Sequence, residues 1–362
     1  MSHNSYNRLL INGELFENSQ LQHLCDSKSQ SITTPAWEKS CFLFISDWIS
    51  QKESIIVLSS GSTGEAKPIQ LTKKQMVASA LLSQKTFNLK SGEKALLCLS
   101  ADHIAGKMMI IRAFVIGLNL ILREPSSDPL ANISEQVDFA AMVPLQVKTS
   151  LKRNRKKLEN IRKLIIGGGS IRQELINEIA KFPHEVYGTY GMTETITHIA
   201  ISNLKKFRSE QIYEALEGVK LALDKRNCLV IDAKHLGLKI TTNDLVNLQD
   251  ATHFEILGRI DNIINSGGLK FNPELIEKKI EPIIDTNYFI SSFNDETLGE
   301  KIVLIIESDK YSLSTLYTLW NKIEIQLDKL EVPKQIEFVN SFIYTKNGKI
   351  DRSLTKNLFL KR

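Results

Sequence analysis

The chain has 362 residues, which exceeds the usual size of a single hydrophobic core and predicts two domains. Its hydrophobic fraction of 42% and charged fraction of 24% are those of an ordinary globular protein. The net charge of +5 is spread along the chain, so it suits small anionic substrates and is too weak to indicate a nucleic-acid partner. The four cysteines show no CxxC or metal-type spacing, which predicts reduced thiols.

The N-terminus has no basic segment followed by an apolar run, which predicts no signal peptide and a cytoplasmic location. Residues 104–122 approach the length of a membrane span, but Lys107 and Arg112 interrupt them. Charges at the centre of a bilayer are expensive. We therefore expect no membrane span here, but a buried helix that ends near Gly117, followed by a strand over 118–122.

Short β-rich runs alternate with helical patterns along most of the chain. The predicted strands begin at Ile55, Ala95, Leu118, Phe139 and Lys163. Helical patterns lie between them, for example over 73–87 and 172–181. Such alternation with nearly continuous apolar strands predicts an α/β domain with a mostly parallel sheet covered by helices. The basic run at 151–160 fits an exposed helix face, with phosphate or RNA binding as the less favoured alternative.

The pattern changes near Gly258. Beyond it, the sequence predicts helices over 273–280 and 313–327, and strands over 287–293, 301–308 and 335–339. Two helices among a few short strands predict a small α+β domain. We place the larger domain at residues 1–260 and the smaller at 261–362, with the boundary at Asp261.

The first candidate motif is SSGSTGEAK, Ser59 to Lys67, directly after an apolar strand. Glycines permit close backbone approach, hydroxyl and N–H groups donate hydrogen bonds, and the lysine supplies charge, which together suit a phosphate-binding loop. A Walker A loop is excluded because Ala66 precedes the lysine and Pro68 follows it. The alternative is a Ser/Gly-rich turn between a strand and a helix.

The second motif is YGTYGMTET, Tyr187 to Thr195. Thr193 and Glu194 would supply a hydroxyl and a carboxylate to a phosphate-bound Mg²⁺. The aromatic residues and glycines before them would form a flat slot for a base. Taken alone, the string is equally consistent with a turn that leads into a helix.

The third motif, LGRIDNIINSGGLKFNPELIE, spans Leu257 to Glu277, and the fourth, TKNGKIDR, spans Thr345 to Arg352. In the third, Asn272 as N-cap and Pro273 in the first turn predict a helix start. In the fourth, Lys349 follows a glycine in a predicted loop. An isolated exposed lysine would carry no functional meaning.

Together and in this order, the four motifs resemble the adenylate-forming superfamily, which contains acyl-CoA synthetases, luciferases and the adenylation domains of peptide synthetases. The resemblance runs from about Ile55 to the C-terminus. Two further segments agree with it. Residues 165–170 resemble the family's Gly-rich nucleotide-binding turn, and residues 241–246 resemble its Thr-Gly-Asp motif, with Asn243 in place of glycine.

The resemblance implies a role in ATP and Mg²⁺ binding for each matched residue. Those expected to hold the ATP phosphates are Ser59, Ser60, Gly61, Ser62, Thr63, Gly64 and Lys67. Those expected along the adenine are Gly168, Gly169, Tyr190 and Gly191. Thr193 and Glu194 are expected to bind the phosphate region and Mg²⁺. Asp244 is expected to bind the ribose hydroxyls, with Arg259 nearby.

The resemblance also implies that the small domain moves, with Asp261 as its hinge. Lys349 would reach the α-phosphate and the carboxylate during adenylation. The Ser266-Gly267-Gly268 loop would replace it beside the pantetheine arm of coenzyme A. A carboxylate is a poor acyl donor because its leaving group would be oxide, whereas AMP leaves readily. The first transfer brings anionic groups together and needs the cations of Lys67, Lys349 and Mg²⁺.

Within the superfamily, the segment YGMTETITHIA, the INSGG loop and the segment SADHIAGKMM resemble the 2-succinylbenzoate–CoA ligases of menaquinone synthesis. In these ligases a His-x-x-Gly segment lies beside the acyl substrate, which maps onto His103 and Gly106 and implies a catalytic role for His103. The alternative for His103 is a histidine that caps a helix. The partners implied are a small carboxylic acid, ATP and coenzyme A, and the sequence leaves monomer or homo-oligomer undecided.

The chain departs from the family pattern in two places. The position of Ser59 leads us to expect that much of the family's usual N-terminal subdomain is absent or abbreviated, and the segment between Glu194 and Asp244 is short. A trimmed acyl pocket suits a small aromatic acid better than a long fatty chain. The alternatives are another aryl- or acyl-CoA ligase, and a nucleotide-binding relative that has lost catalysis. Retention of Lys67, Glu194 and Lys349 argues against the latter.

Overall fold

The computed structural model describes residues 6–58, 67–206, 211–309, 312–345 and 350–360. The chain divides into two compact units, which are described separately. The first comprises Met1–Leu221, Ile231–Ile240 and Ala251–His253, and the second comprises Ala222–Val230, Thr241–Asp250 and Phe254–Arg362. The predicted domain boundary at Asp261 stays a prediction.

The helices of the described residues are α1 (Asn18–Gln30), α2 (Ala36–Ile49), α3 (Lys73–Phe87), α4 (Ile104–Ile116), α5 (Pro144–Arg153), α6 (Arg155–Glu159), α7 (Gln173–Ile179), α8 (Pro273–Ile280), α9 (Leu313–Gln326) and α10 (Arg352–Leu360). The strands are β1 (Arg8–Ile11), β2 (Glu14–Glu17), β3 (Ser54–Leu58), β4 (Pro68–Thr72), β5 (Lys94–Leu97), β6 (Asn119–Leu122), β7 (Phe139–Met142), β8 (Lys163–Ile166), β9 (Val186–Gly191), β10 (His198–Asn203), β11 (Ile212–Ala215), β12 (Val219–Leu223), β13 (Cys228–Ala233), β14 (Leu238–Leu248), β15 (His253–Arg259), β16 (Ile264–Ser266), β17 (Leu269–Phe271), β18 (Tyr288–Asp295), β19 (Gly299–Glu307) and β20 (Gln335–Val339).

Within its described residues, the first unit contains a sheet with the strand order β2-β1-β6-β5-β7-β8-β9-β10-β11. Each neighbouring pair from β1 to β9 is parallel. The pairs β1–β2, β9–β10 and β10–β11 are antiparallel. The prediction of a mostly parallel sheet is therefore confirmed.

Helices cover both faces of this sheet. On one face, Ala140 of β7 joins Val147 of α5 and Ile176 of α7 in one buried core. On the other face, the ring of Phe87 at the end of α3 lies 5.9 Å from that of Phe139. Because helices bury the strands on both sides, the strands appear in the sequence as continuous apolar runs.

Strand β3 confirms the strand predicted from Ile55, but its partner differs from the expectation. It pairs antiparallel with β4, from Ser54 opposite Thr72 to Leu58 opposite Pro68, in a separate two-stranded sheet. The segment predicted to cradle phosphate lies in the sequence between these two strands, and its residues 59–66 are outside the described residues. The alternative of a strand–helix turn is wrong, because α3 begins only after β4.

Helix α4 confirms the helix predicted inside the long apolar stretch. It ends at Ile116, and Gly117 takes the left-handed conformation with φ of +80° and donates its N–H to the Ala113 carbonyl at 2.9 Å. Glycine adopts this conformation without a Cβ penalty, so it stops the helix where strand β6 must begin. In the parts of the chain that the structure describes, no helix has the length and apolar character needed to cross a membrane.

The second unit contains a sheet with the order β17-β16-β19-β18, and β20 pairs in parallel with β19. Pro273 begins α8, and the Asn272 side chain caps the helix by accepting the N–H groups of Glu274 and Leu275 at 3.0 and 3.3 Å. Ile280 of α8 is buried with residues of β18, β19 and α9 in one core. These elements confirm the predicted α+β fold of the C-terminal region.

A cluster of polar side chains is buried where α3, α4 and β10 meet in the first unit. Arg112 of α4 is only 2% exposed. Its Nε donates to Ser83 Oγ at 3.1 Å, and its Nη2 donates to Thr197 Oγ1 at 2.9 Å. Among the described residues no carboxylate pairs with this guanidinium, and burial lowers the pKa of Arg112 to about 10.

His198 belongs to the same cluster. Its Nε2 lies 3.5 Å from Ser83 Oγ, and its ring stands edge-on to Phe87 with 5.4 Å between the centroids. Burial, and then the neighbouring charge of Arg112, lower the pKa of His198 well below its usual value. The imidazole is therefore neutral in the folded chain.

This neutral, buried imidazole predicts a specific dependence of stability on pH. The unfolded chain binds a proton at His198 below about pH 6.5 and the folded chain does not, so stability is complete above that pH and falls below it. We expect His198→Gln to make the decline in the free energy of unfolding between about pH 6.5 and 4.5 shallower, by up to about 1.4 kcal/mol per pH unit. Urea denaturation at a series of pH values measures this.

The control is His23→Gln, which changes a histidine exposed on α1. Its pH dependence should match that of the wild type. A decline in His198→Gln as steep as that of the wild type would contradict the neutral, buried state of this imidazole.

Candidate functional site

The candidate site of the first unit begins at the adjacent ends of two parallel strands. β8 and β9 are paired from Leu164 opposite Val186 to Ile166 opposite Gly188. The predicted glycine turn follows β8 directly, and the Thr193–Thr195 turn follows β9. Because parallel strands end at the same edge of a sheet, the two motifs lie side by side. In open α/β sheets this carboxyl edge is where ligands bind.

Glycine suits this edge because neighbouring atoms leave little room for a Cβ. A Cβ on Gly167 would lie 2.3 Å from Thr189 Oγ1, and one on Gly191 would lie 2.3 Å from the Thr197 carbonyl oxygen. Gly168 has a φ of +81°, which favours glycine. The predicted residues Gly168 and Gly191 are thus held at the edge by local geometry, and Gly169 continues the same turn.

Thr193 and Glu194 lie in a short 3-10 turn whose shape is fixed from within. The hydroxyl of Thr195, which is fully buried, accepts the Met192 N–H at 2.9 Å and lies 2.7 Å from the Thr197 carbonyl oxygen. Thr193 is 7% exposed, whereas Glu194 is exposed. The hydrogen bonds within the turn therefore hold Glu194 in place, with its side chain exposed to solvent.

The residue after this turn is strained. Ile196 has φ of 68° and ψ of −51°, and the Thr197 N–H donates to the Thr195 carbonyl at 2.8 Å. This is a γ-turn of the rare form, centred on a β-branched residue that is fully buried. Backbone strain of this kind costs of order 1–3 kcal/mol and is concentrated at functional sites.

The donor set fits a magnesium ion that is held mainly by phosphate oxygens. Thr193 and Glu194 offer one hydroxyl and one carboxylate, and Mg²⁺ is commonly bound through one or two carboxylates together with substrate phosphates. Within the described ranges no group of three or more His, Cys, Asp or Glu residues is arranged to hold a metal ion. Their chemistry suits a metal that arrives with a nucleotide.

Tyr190, predicted to stack near the adenine, is 8% exposed. Its ring stands edge-to-face against Tyr213, with 6.0 Å between the centroids. Burial raises the pKa of Tyr213. The contact of Tyr190 with a base stays a prediction.

His103 is the N-cap residue of α4. Its side chain makes no capping hydrogen bond, which argues against the alternative of a helix-capping histidine. The first turn of α4 is pressed against the preceding loop, because a Cβ on Gly106 would lie 2.2 Å from the Ser100 carbonyl oxygen.

Lys67, in the loop before β4, is exposed. The catalytic roles of His103 and Lys67 stay predictions.

Several predicted site residues lie outside the described residues. They are Ser59, Ser60, Gly61, Ser62, Thr63, Gly64 and Lys349. Their assignment rests on the motifs alone.

In the second unit the structure brings Asp244 and Arg259 together. They lie opposite each other on β14 and β15, and Arg259 Nη1 donates to Asp244 Oδ1 at 3.0 Å. Asp244 is 8% exposed, and its N–H donates to the Thr242 hydroxyl at 3.1 Å. Arg259 Nη2 donates to Asp261 Oδ2 at 2.8 Å. One guanidinium therefore orients two carboxylates.

Gly267 and Gly268 form the two-residue loop of a β-hairpin. They connect β16 and β17 with φ of +58° and +80°, and Ser266 pairs with Leu269 across the turn. Positive φ at both central residues is the requirement of a type I′ hairpin turn, which explains the two consecutive glycines. This loop is short and defined in shape, and its contact with a thiol substrate stays a prediction.

Sequence reasoning missed four residues that shape these sites. Gly167 was concealed within a run of three glycines, although that run was the available signal. Thr195 and Ile196 gave no signal, because their roles depend on hydrogen bonds within the turn and on one backbone angle. Arg112 was visible as a charge within an apolar run, but its partners Ser83 and Thr197 are distant in the chain.

The sequence and fold match known proteins. Residues 30–236 match the family model described as AMP-binding enzyme. The solved structure of an acyl-CoA synthetase (AMP-forming)/AMP-acid ligase II-like protein from Dyadobacter fermentans is 32% identical, with a TM-score of 0.59. That match covers 93% of this chain and 97% of the other.

Two further similar proteins have names that specify the acid on which they act. A 2-succinylbenzoate–CoA ligase from Staphylococcus epidermidis is 25% identical over 83% of this chain and 69% of its own length. The o-succinylbenzoate CoA synthetase of Bacillus subtilis, solved in complex with ATP and magnesium, is 19% identical with a TM-score of 0.71, over 83% of this chain and 69% of that one. At this identity, the solved structure supports the fold alone. Because the family model spans more than half of the chain and the Dyadobacter protein matches nearly all of it, this chain belongs to the AMP-binding enzyme family, as its motifs predicted.

Proposed function

We propose that this enzyme is an ATP-dependent acid–CoA ligase that acts on 2-succinylbenzoate. It would convert the acid and ATP into an acyl-adenylate and pyrophosphate, and then transfer the acyl group to coenzyme A with release of AMP. One observation carries the proposal. In this AMP-binding enzyme, the Gly167–Gly169 turn and the Thr193–Glu194 turn lie side by side at one edge of the sheet.

In the first half-reaction, a carboxylate oxygen of the acid attacks the α-phosphorus of ATP and pyrophosphate leaves. Mg²⁺ would neutralise phosphate charge when bound. Glu194 and Thr193 have the donor chemistry for that ion. Lys67 and Lys349 would add positive charge where the attacking and leaving oxygens meet, and Asp244 with Arg259 would hold the ribose.

In the second half-reaction, the thiol of coenzyme A attacks the acyl carbonyl and loses its proton to solvent, and AMP leaves with the electron pair of the broken bond between the acyl carbon and the phosphate oxygen. This step no longer needs the cations that favour adenylation, but it needs a channel for the pantetheine arm. The rigid Gly267–Gly268 turn is proposed to line that channel, after the small domain turns about Asp261. Gating of this kind separates the two steps without a change of fold.

The choice of acid has support from a buried charge. 2-Succinylbenzoate carries two carboxylates, of which only one is activated, so the other needs a cationic partner. Arg112 is a buried cation whose described partners are neutral groups, and it bonds to Thr197 in the loop beyond Glu194. A buried cation without a carboxylate is costly, and an anionic substrate would offset that cost. His103, in the same α4 segment, would lie beside the acyl group.

Two other functions remain as alternatives to this one. Another aryl- or acyl-CoA ligase would share the adenylation chemistry and differ only in the acid. A nucleotide-binding relative without catalysis would keep the fold and lose turnover. Retention of Lys67, Glu194 and Lys349 in one chain supports an active enzyme.

The first test compares acids. We expect the purified enzyme to release pyrophosphate with 2-succinylbenzoate and to form its thioester when coenzyme A is added. 4-Oxo-4-phenylbutanoate, which keeps the succinyl chain and lacks only the ring carboxylate, should give a kcat/KM at least about tenfold lower, since a hydrogen-bonded charge pair is lost. A coupled pyrophosphate assay and chromatography of the thioester measure both steps. Higher kcat/KM with acetate or palmitate would refute the proposed acid while leaving the ligase chemistry intact.

The second test concerns the proposed metal ligand. Glu194→Gln keeps the shape of the side chain but removes its charge, so adenylation should slow by about a hundredfold, comparable to the loss of one preorganised electrostatic contact. Glu214→Gln, at an exposed glutamate of β11, is the control and should keep the wild-type rate. Pyrophosphate release is measured over a range of Mg²⁺ concentrations. A wild-type rate in Glu194→Gln at moderate Mg²⁺ would remove this residue from the site.

The third test separates the half-reactions. Lys349→Ala should lower the rate of adenylation by about a thousandfold, because the developing charge between carboxylate and α-phosphate loses its cation. The same variant, given preformed acyl-adenylate and coenzyme A, should make thioester at close to the wild-type rate. Lys356→Ala, which removes a lysine of α10, should leave both steps unchanged. Equal losses of both half-reactions in Lys349→Ala would argue against alternation of the small domain.

A further inference from the structure

Position 243 differs from the motif that the surrounding residues resemble, because an asparagine stands where that motif has glycine. Asn243 lies on β14 directly before Asp244, in the second unit. Its side chain is engaged at both ends. Arg226 Nη1 donates to Asn243 Oδ1 at 3.0 Å, and Asn243 Nδ2 donates to the two carboxylate oxygens of Asp261 at 3.0 and 3.2 Å.

The orientation of this amide follows from its partners. A guanidinium has only donors, so the oxygen of Asn243 must face Arg226. An ionised carboxylate has only acceptors, so the nitrogen must face Asp261. The amide dipole therefore joins a cation to an anion, which glycine cannot do and which aspartate could do only at the Arg226 end.

The Arg226 end of this chain of contacts is anchored. Arg226 Nε donates to Asp224 Oδ2 at 2.8 Å, and its Nη2 donates to the Thr242 carbonyl at 3.1 Å. The Asp224 carboxylate is itself fixed by the backbone N–H groups of Arg226 and Cys228, at 2.7 and 3.0 Å. The hydrogen bond from Cys228, together with that from the Arg226 side chain, holds the pKa of Asp224 below its usual value.

The other end leads to the candidate ribose-binding pair. Asp261 accepts Asn243 Nδ2 and also Arg259 Nη2, whose Nη1 holds Asp244. Along this path the charges alternate, from Asp224 through Arg226 and the neutral amide to Asp261, Arg259 and Asp244. Such networks stabilise the geometry of each member by more than isolated surface pairs do.

We propose that Asn243 is a positioning residue for nucleotide binding, which fixes Asp261 and through it the orientation of Arg259 against Asp244. The inference rests on the proposed function, since it takes Asp244 and Arg259 as the groups that bind the nucleotide. It adds a residue whose side chain acts through a carboxylate and has no contact with substrate of its own.

The test is the binding of MgATP to Asn243→Asp and Asn243→Gly, measured by isothermal titration calorimetry without any acid or coenzyme A. In Asn243→Asp the introduced carboxylate repels Asp261, so the Kd should rise about tenfold at low ionic strength. At 0.5 M salt the rise should shrink to about threefold, because exposed charges are screened. Asn243→Gly removes the amide without adding charge, so we expect a rise of about threefold at both salt concentrations.

Asn247→Asp is the matched control. It makes the same amide-to-carboxylate change on the same strand, opposite Glu255 rather than beside Asp261. Its Kd should equal that of the wild type at both salt concentrations. A salt-independent loss in Asn243→Asp, an equal loss in Asn247→Asp, or wild-type affinity in both Asn243 variants would overturn the inference. Absence of MgATP binding by the wild type would instead overturn the proposed function.

Discussion

The parallel pairing of β8 with β9 is the constraint on which the site of the first unit depends. The register of Ile166 opposite Gly188 determines where both strands end, and hence which residues meet at the edge of the sheet. A slip of one residue would turn every side chain of a strand to the opposite face. The close packing of these side chains against helices on both faces resists that slip, so the core of the sheet also determines the geometry of the turns that carry Gly168 and Glu194.

The two units use different means to orient polar groups. At the edge of the parallel sheet, the backbone does this through one left-handed glycine, a 3-10 turn and one strained γ-turn. In the second unit, side chains do it, through a path of alternating charges that ends at Asp244. Backbone geometry depends on burial and is insensitive to salt, whereas ions weaken the part of the path that is exposed, at Arg226 and Asp261. The two parts should therefore respond differently to solution conditions.

Local signals explain which elements could be predicted from the sequence. The predicted bounds of α3 agree with the structure because Thr72 and Gln75 cap each other reciprocally, and those of α8 because Asn272 and Pro273 determine its start. The pairing of β3 with β4 could not be predicted, since the order of apolar runs does not specify the direction of a partner strand. Strands β10 to β14 were not predicted from the sequence.

The candidate site residues also differ in whether local sequence predicts them. The glycines and the Thr-Glu pair were recognisable because their roles are encoded in adjacent residues. The cluster of Arg112 with Thr197, and that of Asn243 with Arg226 and Asp261, join residues distant in sequence, and only the fold brings them together. Asn243 was visible as a departure from a motif, but its two partners were not.

Ile196 places an unusual limit on how this region can change. Its positive φ favours glycine, while its complete burial favours a large apolar side chain, and no common residue satisfies both. Substitution by glycine would relieve the backbone and empty the core, and substitution by valine or leucine would fill the core and keep the strain. Variation at this position is therefore coupled to compensating changes in the residues that pack around it, so the loop beyond Glu194 is expected to evolve as a unit with its core.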